Sequence, residues 1–508
     1  MIFMKKLTTR LLSLVLLGAF IPSFVLAETW DLGKGDITVT ATETSQTVSQ
    51  VNGETKDDPD PVITSSGKTE NTVTINAETN ATANVTLENV NIDTGTRGGA
   101  AITTSGEGNV NIELNGTNTV QSGNTHAGVE KKDNGTLTIT DEDKDGSLTA
   151  TGGNYGAGIG GGYEGSGSNI AIEGGKVKAI RGTHGAGIGG GFGGSGSNIA
   201  IEGGKVEASS VGGGAGIGGG SLGSGSNITI SGGEVTAQGG VGGAGIGGGQ
   251  GGSGSNITIS DGKVTATGAG AGAGIGGGYE GSGKSITIEG GEVTAQGDAG
   301  GAGIGGGISG TGSDVTISGD AQVKVQGGTT GRDWHKGAAI GNGGTPTTDG
   351  NEVSPNTSDL KVGGFIQIYE PGKNINTDTP DKTIEGQKGD HSWNAGEVTA
   401  ETVPESKAAA YWVSDSEGQS IPYQAQQKDG VLTVTVQADT ASLRGTTGSL
   451  RQLEAQGVAE IRFVTKGAQS AFTLSDLLTS GTGSFTLTHD GDKITFTLEN
   501  TDISGILK

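Results

Sequence analysis

Residues 156–184 read GAGIGGGYEGSGSNIAIEGGKVKAIRGTH, and this unit of 29 residues returns repeatedly down the middle of the chain. Its GAGIGGG motif recurs at the same interval, with the isoleucine at Ile159, Ile188, Ile217, Ile246, Ile275 and Ile304. A fixed period of this length marks one supersecondary unit that stacks on copies of itself. The sequence therefore predicts a solenoid with 29-residue rungs.

Each unit contains three short apolar segments, at 157–159, 170–172 and 177–179 in the first clean copy. Apolar residues lie two apart within each segment, which is the period of a β-strand and not of a helix. Glycine clusters separate the segments, because tight corners need positive φ or close backbone approach. These observations predict an all-β parallel β-helix in which the same aliphatic side chain stacks above its copy.

The composition and the residue pattern of the chain change along its length, and these changes predict its domain boundaries. We expect an N-terminal cap or leader over 28–71 and parallel β-helix repeats over 72–345. Residues 346–390 are polar and read as a linker with one final strand, FIQIY at 365–369. From 391 to 508 glycine is sparse and strand and short-helix patterns alternate, which predicts a small C-terminal α+β domain.

The first 27 residues have the pattern of a secretory signal peptide. Lys5, Lys6 and Arg10 precede an apolar stretch over 11–20, and small residues before the cut favour cleavage after Ala27. The apolar stretch is short for a membrane-spanning helix. We therefore expect a secreted, extracellular protein with no transmembrane segment in the mature chain; any association with the cell surface would be non-covalent.

Composition excludes several classes of function. The chain has no cysteine, so thiolate metal sites and cysteine nucleophiles are excluded. The formal net charge of −24 argues against a nucleic-acid partner, because such binding needs basic patches. We expect no required cofactor, and Ca²⁺ is the one ion that the acidic balance and a local motif suggest.

The calcium motif is D-x-D-x-D-G, formed by Asp141, Asp143, Asp145 and Gly146. Alternate carboxylates at this spacing can converge on a hard cation. The twelfth position of an EF-hand loop would be Gly152 and not glutamate, so the EF-hand itself is excluded. The alternative is an acidic, solvated turn between two strands.

Aromatic residues supply the candidate ligand-binding positions. Tyr163, Phe192 and Tyr279 occupy one equivalent position of the repeat, just past a glycine corner, and Tyr155 lies just before its strand. Exposed aromatic faces bind sugar rings through apolar contact. The alternative is scattered corner decoration, because serine and glutamine interrupt the column.

A second candidate ligand-binding position lies at the end of the array, where Trp334 and His335 precede a degenerate copy of the repeat. This cluster could bind a glycan or could be part of a cap, since the ends of stacked arrays need capping.

Several blocks of the sequence carry a resemblance to a known class. GAGIGGG, GSGSNITISGGEVTAQGG at 223–240 and TVTINAETNATANVTLENVNIDTG at 72–95 resemble secreted, glycine-rich, right-handed parallel β-helix proteins of the bacterial carbohydrate-binding-domain type. The resemblance covers about residues 30–345. It implies a right-handed solenoid and binding of polysaccharide or cell-surface glycan. Some members of the broader group resemble pectate lyases and hold Ca²⁺, which implies acidic sugars as a ligand class.

Signals for catalysis are weak, because no motif for a nucleophile, a metal-dependent hydrolase or a phosphate loop stands out. The sequence therefore favours a non-catalytic, secreted or surface-associated protein for carbohydrate binding or adhesion. One alternative is a pectate-lyase-like enzyme that degrades polysaccharide. Another is a structural spacer that presents the C-terminal domain. The oligomeric state and the identity of the ligand stay open.

Overall fold

A computed structural model describes two stretches of the chain. The first is residues 27–386, apart from 52, 54, 133, 181–182, 330–334, 346–347, 358 and 362. The second is residues 411–507, apart from 416–420, 422, 429, 448–449, 451–452, 455–456, 482–483, 492 and 499–500. Nearly all of the predicted signal peptide and the candidate Trp334 lie outside the described residues.

The first stretch is a parallel β-solenoid, which confirms the predicted fold class. One turn of the chain, here called a coil, contributes one short strand to each of three sheets. Sheets 1, 2 and 3 are named in the order in which a coil visits them, and they contain 13, 11 and 11 strands among the described residues. The six coils that begin at the repeated isoleucines of GAGIGGG are called the clean coils.

Sheet 1 contains the Ile-Gly segments of the repeat. Its parallel strands are Ile37–Ala41, Val73–Ala77, Ile102–Gly106, Val129–Lys131, Ile159–Gly160, Ile188–Gly189, Ile217–Gly218, Ile246–Gly247, Ile275–Gly276, Ile304–Gly305 and Ile340–Gly341. Two further strands, Gln46–Gln50 and Lys56–Asp57, join its N-terminal edge in the antiparallel direction.

Sheet 2 contains the segments related to GSNITI. Its strands are Thr29–Asp31, Val62–Thr64, Thr82–Glu88, Asn109–Asn115, Leu137–Thr140, Gly167–Ile172, Gly196–Ile201, Gly225–Ile230, Gly254–Ile259, Gly283–Ile288 and Gly312–Ile317. All of these pairings are parallel. A one-turn 3-10 helix, Leu32–Lys34, follows the first strand.

Sheet 3 contains the segments related to KVTA. Its parallel strands are Asn91–Asp93, Thr117–Gln121, Ser147–Thr151, Lys176–Ile180, Lys205–Ser209, Glu234–Val241, Lys263–Ala269, Glu292–Gln296, Gln322–Gln326 and Phe365–Tyr369. An antiparallel strand, Lys382–Glu385, closes its C-terminal edge.

The interior of the solenoid is built from aliphatic columns, as the sequence predicts. Ile170 pairs in register with Ile199, and Ile199 pairs in turn with Ile228. These three side chains are at most 1% exposed and belong to one continuous core cluster that runs from Trp30 to Ile366. Each coil thus shields the aliphatic residues of its neighbours from water, so a single coil would not be stable alone.

Glycine is required at the corner that follows the isoleucine of each GAGIGGG motif. Gly218 has φ of +128°, a conformation that favours glycine. A Cβ atom built on Gly218 would lie 2.1 Å from the carbonyl oxygen of Gly247 in the next coil. The backbone of one coil therefore occupies the space that any side chain at this position would need.

A ladder of asparagine side chains runs along the solenoid. Asn198 donates from Nδ2 to Oδ1 of Asn169 at 2.8 Å, and Asn227 donates to Asn198 at 3.0 Å. Asn256 extends the ladder with a 3.1 Å bond to Asn227. Asn169, Asn198, Asn227 and Asn256 have φ between +52° and +57°, a region that asparagine tolerates better than most residues. The ladder thus joins neighbouring coils at a left-handed corner.

Both ends of the solenoid differ from its middle. Residues 28–71, which we expected to form a cap, contribute parallel strands to sheets 1 and 2 as well as the antiparallel strands described above. At the other end, the strand predicted at 365–369 is present and pairs in parallel with Gln322–Gln326. The carboxylate of Glu352 accepts hydrogen bonds from the backbone N–H groups of Ala339 (2.7 Å) and Ile340 (3.1 Å).

The second described stretch contains two sheets and a separate core, consistent with the predicted small domain. The five-stranded sheet has the order Tyr411–Ser414, Thr440–Thr446, Ser484–Asp490, Lys493–Leu498 and Thr501–Asp502. The four-stranded sheet has the order Tyr423–Lys428, Val431–Val436, Glu460–Val464 and Gln469–Thr473. The domain also contains an α-helix, Leu474–Thr479, and a 3-10 helix, Ser504–Ile506. Thr447, Leu450, Leu453 and Glu454 are helical as well.

Candidate functional site

Two corners of the solenoid meet along one edge and form the surface that carries the aromatic residues. The first corner ends with Tyr155, just before sheet 1, and the second contains Phe192, just after the sheet 1 strand of the next coil. The backbone N–H of Phe192 donates to the carbonyl of Tyr155 at 2.8 Å. The same bond recurs between Ser221 and His184, at 2.6 Å. The repeat thus brings two separate sequence positions together in every clean coil.

Four rings gather on this edge, beside the sheet 1 strands of the first two clean coils. Tyr163 stacks on Phe192 with 5.8 Å between ring centroids and 5° between planes. Tyr155 stacks on His184 at 5.4 Å and 15°. The two stacks are mutually perpendicular, since Tyr155 meets Tyr163 edge-on at 5.5 Å and 90°. We call Tyr155, Tyr163, His184 and Phe192 the aromatic cluster.

The aromatic cluster is accessible from solvent. Tyr163 is 47% exposed and the other three rings are half-buried. The neighbouring residue Glu164 has φ of +57°, a left-handed corner that lifts the adjacent tyrosine out of the solenoid wall. The Tyr163 hydroxyl is hydrogen-bonded to Glu164, and this bond is the main cause of a raised pKa of that hydroxyl. An apolar ring face and an exposed carboxylate therefore lie side by side.

A polar ladder flanks the rings. Asn154 precedes Tyr155 in the chain and donates from Nδ2 to Oδ1 of Asn124 at 2.7 Å. Thr183 precedes His184 and donates to Oδ1 of Asn154 at 3.3 Å. All three side chains are exposed. They place amide and hydroxyl groups beside the aromatic cluster, where a bound hydroxyl could exchange hydrogen bonds with them.

A buried acid supports the preceding coil. Glu130 pairs in register with Gly160 of the first clean coil and is 2% exposed. Its Oε2 atom accepts from the Ala127 backbone N–H at 3.0 Å and contacts Nδ1 of His126 at 2.7 Å. In the clean coils a backbone carbonyl takes this place: that of Gly161 accepts from Ala157 at 2.9 Å. The side chain of Glu130 thus supplies the acceptor that a glycine carbonyl supplies in the clean coils. It belongs to the coil on which the coil of Tyr163 stacks.

Three of the four aromatic residues singled out along the repeat lie close together in the structure, and one does not. The structure brings Tyr155, Tyr163 and Phe192 together, but Tyr279 lies four coils from Tyr163 and has no ring partner among the described residues. His184 is a member of the cluster that the sequence analysis missed. The available signal was its spacing of 29 residues from Tyr155, which places both at one repeat position.

The second candidate lies at the far end of the solenoid. His335 contacts Oδ1 of Asp349 through Nδ1 at 3.0 Å, and its partner in the motif, Trp334, is outside the described residues. Nearby, a cavity of about 270 Å³ is lined by Lys336, Glu352 and Tyr369 among others. Six coil steps, or about 29 Å at 4.8 Å per step, separate this end from the aromatic cluster.

The three aspartates of the calcium motif lie between a strand of sheet 2 and a strand of sheet 3. Asp141 accepts a hydrogen bond from the Gly146 backbone N–H at 3.1 Å, and Asp143 and Asp145 are exposed. Across the described residues, no group of three His, Cys, Asp or Glu side chains is placed to hold a metal ion. Calcium binding at Asp141, Asp143 and Asp145 stays a prediction.

Comparison with known proteins agrees with this geometry. A family model described as a beta helix repeat matches six consecutive segments of the chain: 144–163, 170–192, 199–221, 228–250, 257–279 and 286–308. These segments lie in the coils with the clearest repeat, and the match agrees with the parallel β-helix fold of this part of the chain. No curated protein and no solved structure matches it. In the part of the chain that the structure describes, no helix has the length and apolar character to cross a membrane.

Proposed function

We propose that this protein is a secreted, non-catalytic β-helix protein that binds polysaccharide or cell-surface glycan through the aromatic cluster. The observation that supports this most directly is the gathering of four partly exposed rings on one edge of the solenoid. Rings that stack and meet edge-on form a rigid apolar platform. Sugars present apolar C–H faces that suit such a platform.

The polar groups around the platform suit the remaining surface of a sugar. Glu164 offers carboxylate oxygens beside the exposed ring of Tyr163, and Asn154 and Thr183 offer amide and hydroxyl groups on the other flank. A binding site with an apolar floor and a few fixed polar groups gains affinity from the floor and orientation from the polar rim. The support for a glycan ligand is thus the chemistry of the side chains at this one site. Adhesion would follow if the glycan is on a cell surface.

The test is a binding assay on the mature protein against a panel of neutral and acidic polysaccharides, with and without Ca²⁺. We expect Tyr163→Ala or Phe192→Ala to weaken binding by about tenfold, since one aromatic contact contributes about 1 kcal/mol or more. Tyr279→Ala is the matched control, because this tyrosine occupies the same repeat position outside the aromatic cluster. We expect it to bind as the unsubstituted protein does.

Two results would contradict the proposal. One is the absence of binding to every polysaccharide of the panel in both conditions. The other is an equal loss of affinity in Tyr279→Ala and Tyr163→Ala, which would mean that the aromatic cluster has no special part in binding. A loss of binding when Ca²⁺ is removed, restored by its return, would in addition support the predicted site at Asp141, Asp143 and Asp145.

A further inference from the structure

A buried carboxylate lies next to the predicted signal-peptide cleavage site. Asp58 is 0% exposed. Its Oδ2 atom accepts a hydrogen bond from the indole Nε1 of Trp30 at 2.8 Å and another from the backbone nitrogen of Glu28 at 3.1 Å. Its Oδ1 atom has only a long contact, 3.4 Å, to the backbone nitrogen of Asp60. Glu28 is the residue that follows Ala27, after which the sequence pattern places the cut.

The described part of the chain offers this carboxylate no cationic side chain as an ion-pair partner. Lys56, two residues before Asp58, pairs instead with the side chain of Glu28 at 2.6 Å and lies 5.7 Å from the Trp30 ring centroid. Within the described residues, no lysine, arginine or histidine forms an ion pair with Asp58. The hydrogen bonds to this carboxylate thus come from an uncharged indole and from backbone N–H groups.

Cleavage at the predicted site would supply the missing charge. Hydrolysis of the Ala27–Glu28 peptide bond by a signal peptidase adds one water molecule, leaving a carboxylate on Ala27 and an α-ammonium group on Glu28. Ala27 is exposed, whereas Trp30, three residues later, is buried. The nitrogen that becomes charged is the atom that already lies 3.1 Å from Asp58.

We propose that removal of the signal peptide after Ala27 creates an ion pair between the new N-terminal ammonium of Glu28 and buried Asp58, and that this pair locks the first coil of the solenoid. A hydrogen bond between two ionised groups is about twice as strong as a neutral one. The processed protein therefore holds its first strands more firmly than any form that retains residues before Glu28. Secretion and final folding of the N-terminal end are thereby linked.

The experiment compares full-length mature protein that begins at Glu28 with a form that begins at Val25. The second form moves the ammonium three residues away and keeps every backbone donor. Hydrogen exchange of residues 28–50 is measured by mass spectrometry in both. We expect exchange to be about tenfold slower in the form that begins at Glu28, because opening of the first coil must break the ion pair.

Asp58→Asn in both forms is the control, and the difference between the two N-termini should disappear there. If Asp58→Asn does not fold, enzymatic acetylation of the Glu28 amine replaces it, since this removes the charge and leaves Asp58 intact; exchange should then rise to the level of the longer form. Equal exchange at the two N-termini with Asp58 present would overturn the proposal. So would Edman sequencing that finds the secreted protein beginning at another residue. Neither result bears on glycan binding.

Discussion

Single glycines decide whether neighbouring coils can approach closely. Gly218 combines φ of +128° with a carbonyl oxygen 2.1 Å from the place of its absent Cβ. The neighbouring atom belongs to the backbone of the next coil, which cannot move aside without breaking sheet 1. Both the conformation and the space at this position therefore exclude a side chain.

We predict that Gly218→Ala destabilises the solenoid by more than about 3 kcal/mol or prevents folding, because strain and a backbone clash act together. Denaturant unfolding of the full chain, followed by far-ultraviolet circular dichroism, measures this. Gly99→Ala is the control, since a Cβ there meets no atom within 4 Å and Gly99 shows no positive φ in the left-handed region. It should change stability by less than about 0.5 kcal/mol. Equal stability of the two variants would contradict the argument.

The candidate site shows what sequence reasoning reaches at this scale. Tyr163 and Phe192 are recognisable because both occupy one position of the repeat. The stacking of Tyr155 on His184 was not predicted, although their spacing was visible. The edge-on contacts of this stack with Tyr163 and Phe192 depend on two corners folding back toward each other. The period of the sequence fixes which residues are equivalent but not which columns touch.

The last strand of sheet 1 shows how an element ends when no further coil follows. In the clean coils, the N–H of each isoleucine donates to a carbonyl of the next coil, as Ile304 does to Ala339 at 2.9 Å. At Ile340 the carboxylate of Glu352 takes the place of those carbonyls. Residue Glu352 as a whole is exposed, but burial of its carboxylate against the strand end raises its pKa despite the two backbone hydrogen bonds.

We predict that Glu352→Gln destabilises the C-terminal end of the solenoid by about 1–2 kcal/mol, because an amide nitrogen would face one of two backbone donors. Hydrogen exchange of residues 335–345 measures the local opening. Glu370→Gln is a matched control from the same cavity wall. Its carboxylate makes an exposed ion pair with Lys336 at 3.5 Å and contributes to the raised pKa of Glu352 by charge repulsion, so little change or a small stabilisation is expected. A larger effect in the control would show that Glu352 does not cap the sheet.

His489 gives the C-terminal domain a defined response to pH. The ring is 0% exposed and hydrogen-bonds Thr465 at 3.1 Å and Ser470 at 2.7 Å. Burial lowers its pKa below the ordinary value of 6.5. Between the lowered pKa and 6.5 the unfolded chain binds more protons than the folded one, so stability falls as pH falls through this window.

We therefore predict that the C-terminal domain resists urea better at pH 7 than at pH 5, and that His489→Gln reduces this difference. Limited proteolysis of residues 411–507 in the full chain, at increasing urea concentration, provides the measurement. Comparing the variant with the unsubstituted protein cancels the contribution of carboxylates that titrate in the same range. An unchanged pH difference in His489→Gln would show that another group controls it.

The elements were predictable where the repeat is clean and less so elsewhere. The segments 170–172 and 177–179 lie in strands of sheets 2 and 3, as expected from alternation. The parallel pairing of Ile37–Ala41 with Val73–Ala77 was not expected, because these strands lack the GAGIGGG motif. Their larger side chains fit the same sheet, because stacking continues wherever the buried face of the strand is apolar.

At the scale of the whole molecule, the repeat makes length adjustable. Deletion of residues 217–245 removes one complete unit and joins Gly216 to Ile246, which restores the same motif. We predict that the shortened chain folds, because stability in stacked arrays is approximately a sum of nearest-neighbour terms. It should also bind glycan with unchanged affinity, since every residue of the aromatic cluster precedes the deleted unit. Circular dichroism and the polysaccharide assay test the two statements.

Loss of binding in a well-folded deletion variant would show that the ligand extends along the solenoid beyond the aromatic cluster. Failure to fold would instead show that coils are not interchangeable. The overall architecture was the most predictable level, because six near-identical units admit few arrangements other than stacking. The function of residues 391–508 was not predictable, since ordinary strand patterns carry no repeat and no recognisable site.

The antiparallel strands at the two ends have a consequence for behaviour in concentrated solution. A stack of parallel strands exposes unpaired backbone groups at each end and could template the addition of further chains, as amyloid protofilaments do. Gln46–Gln50 and Lys56–Asp57 cover one end of sheet 1, and Lys382–Glu385 covers the opposite end of sheet 3. These antiparallel strands interrupt the parallel order at one end of two of the three sheets, which opposes in-register addition of further chains there.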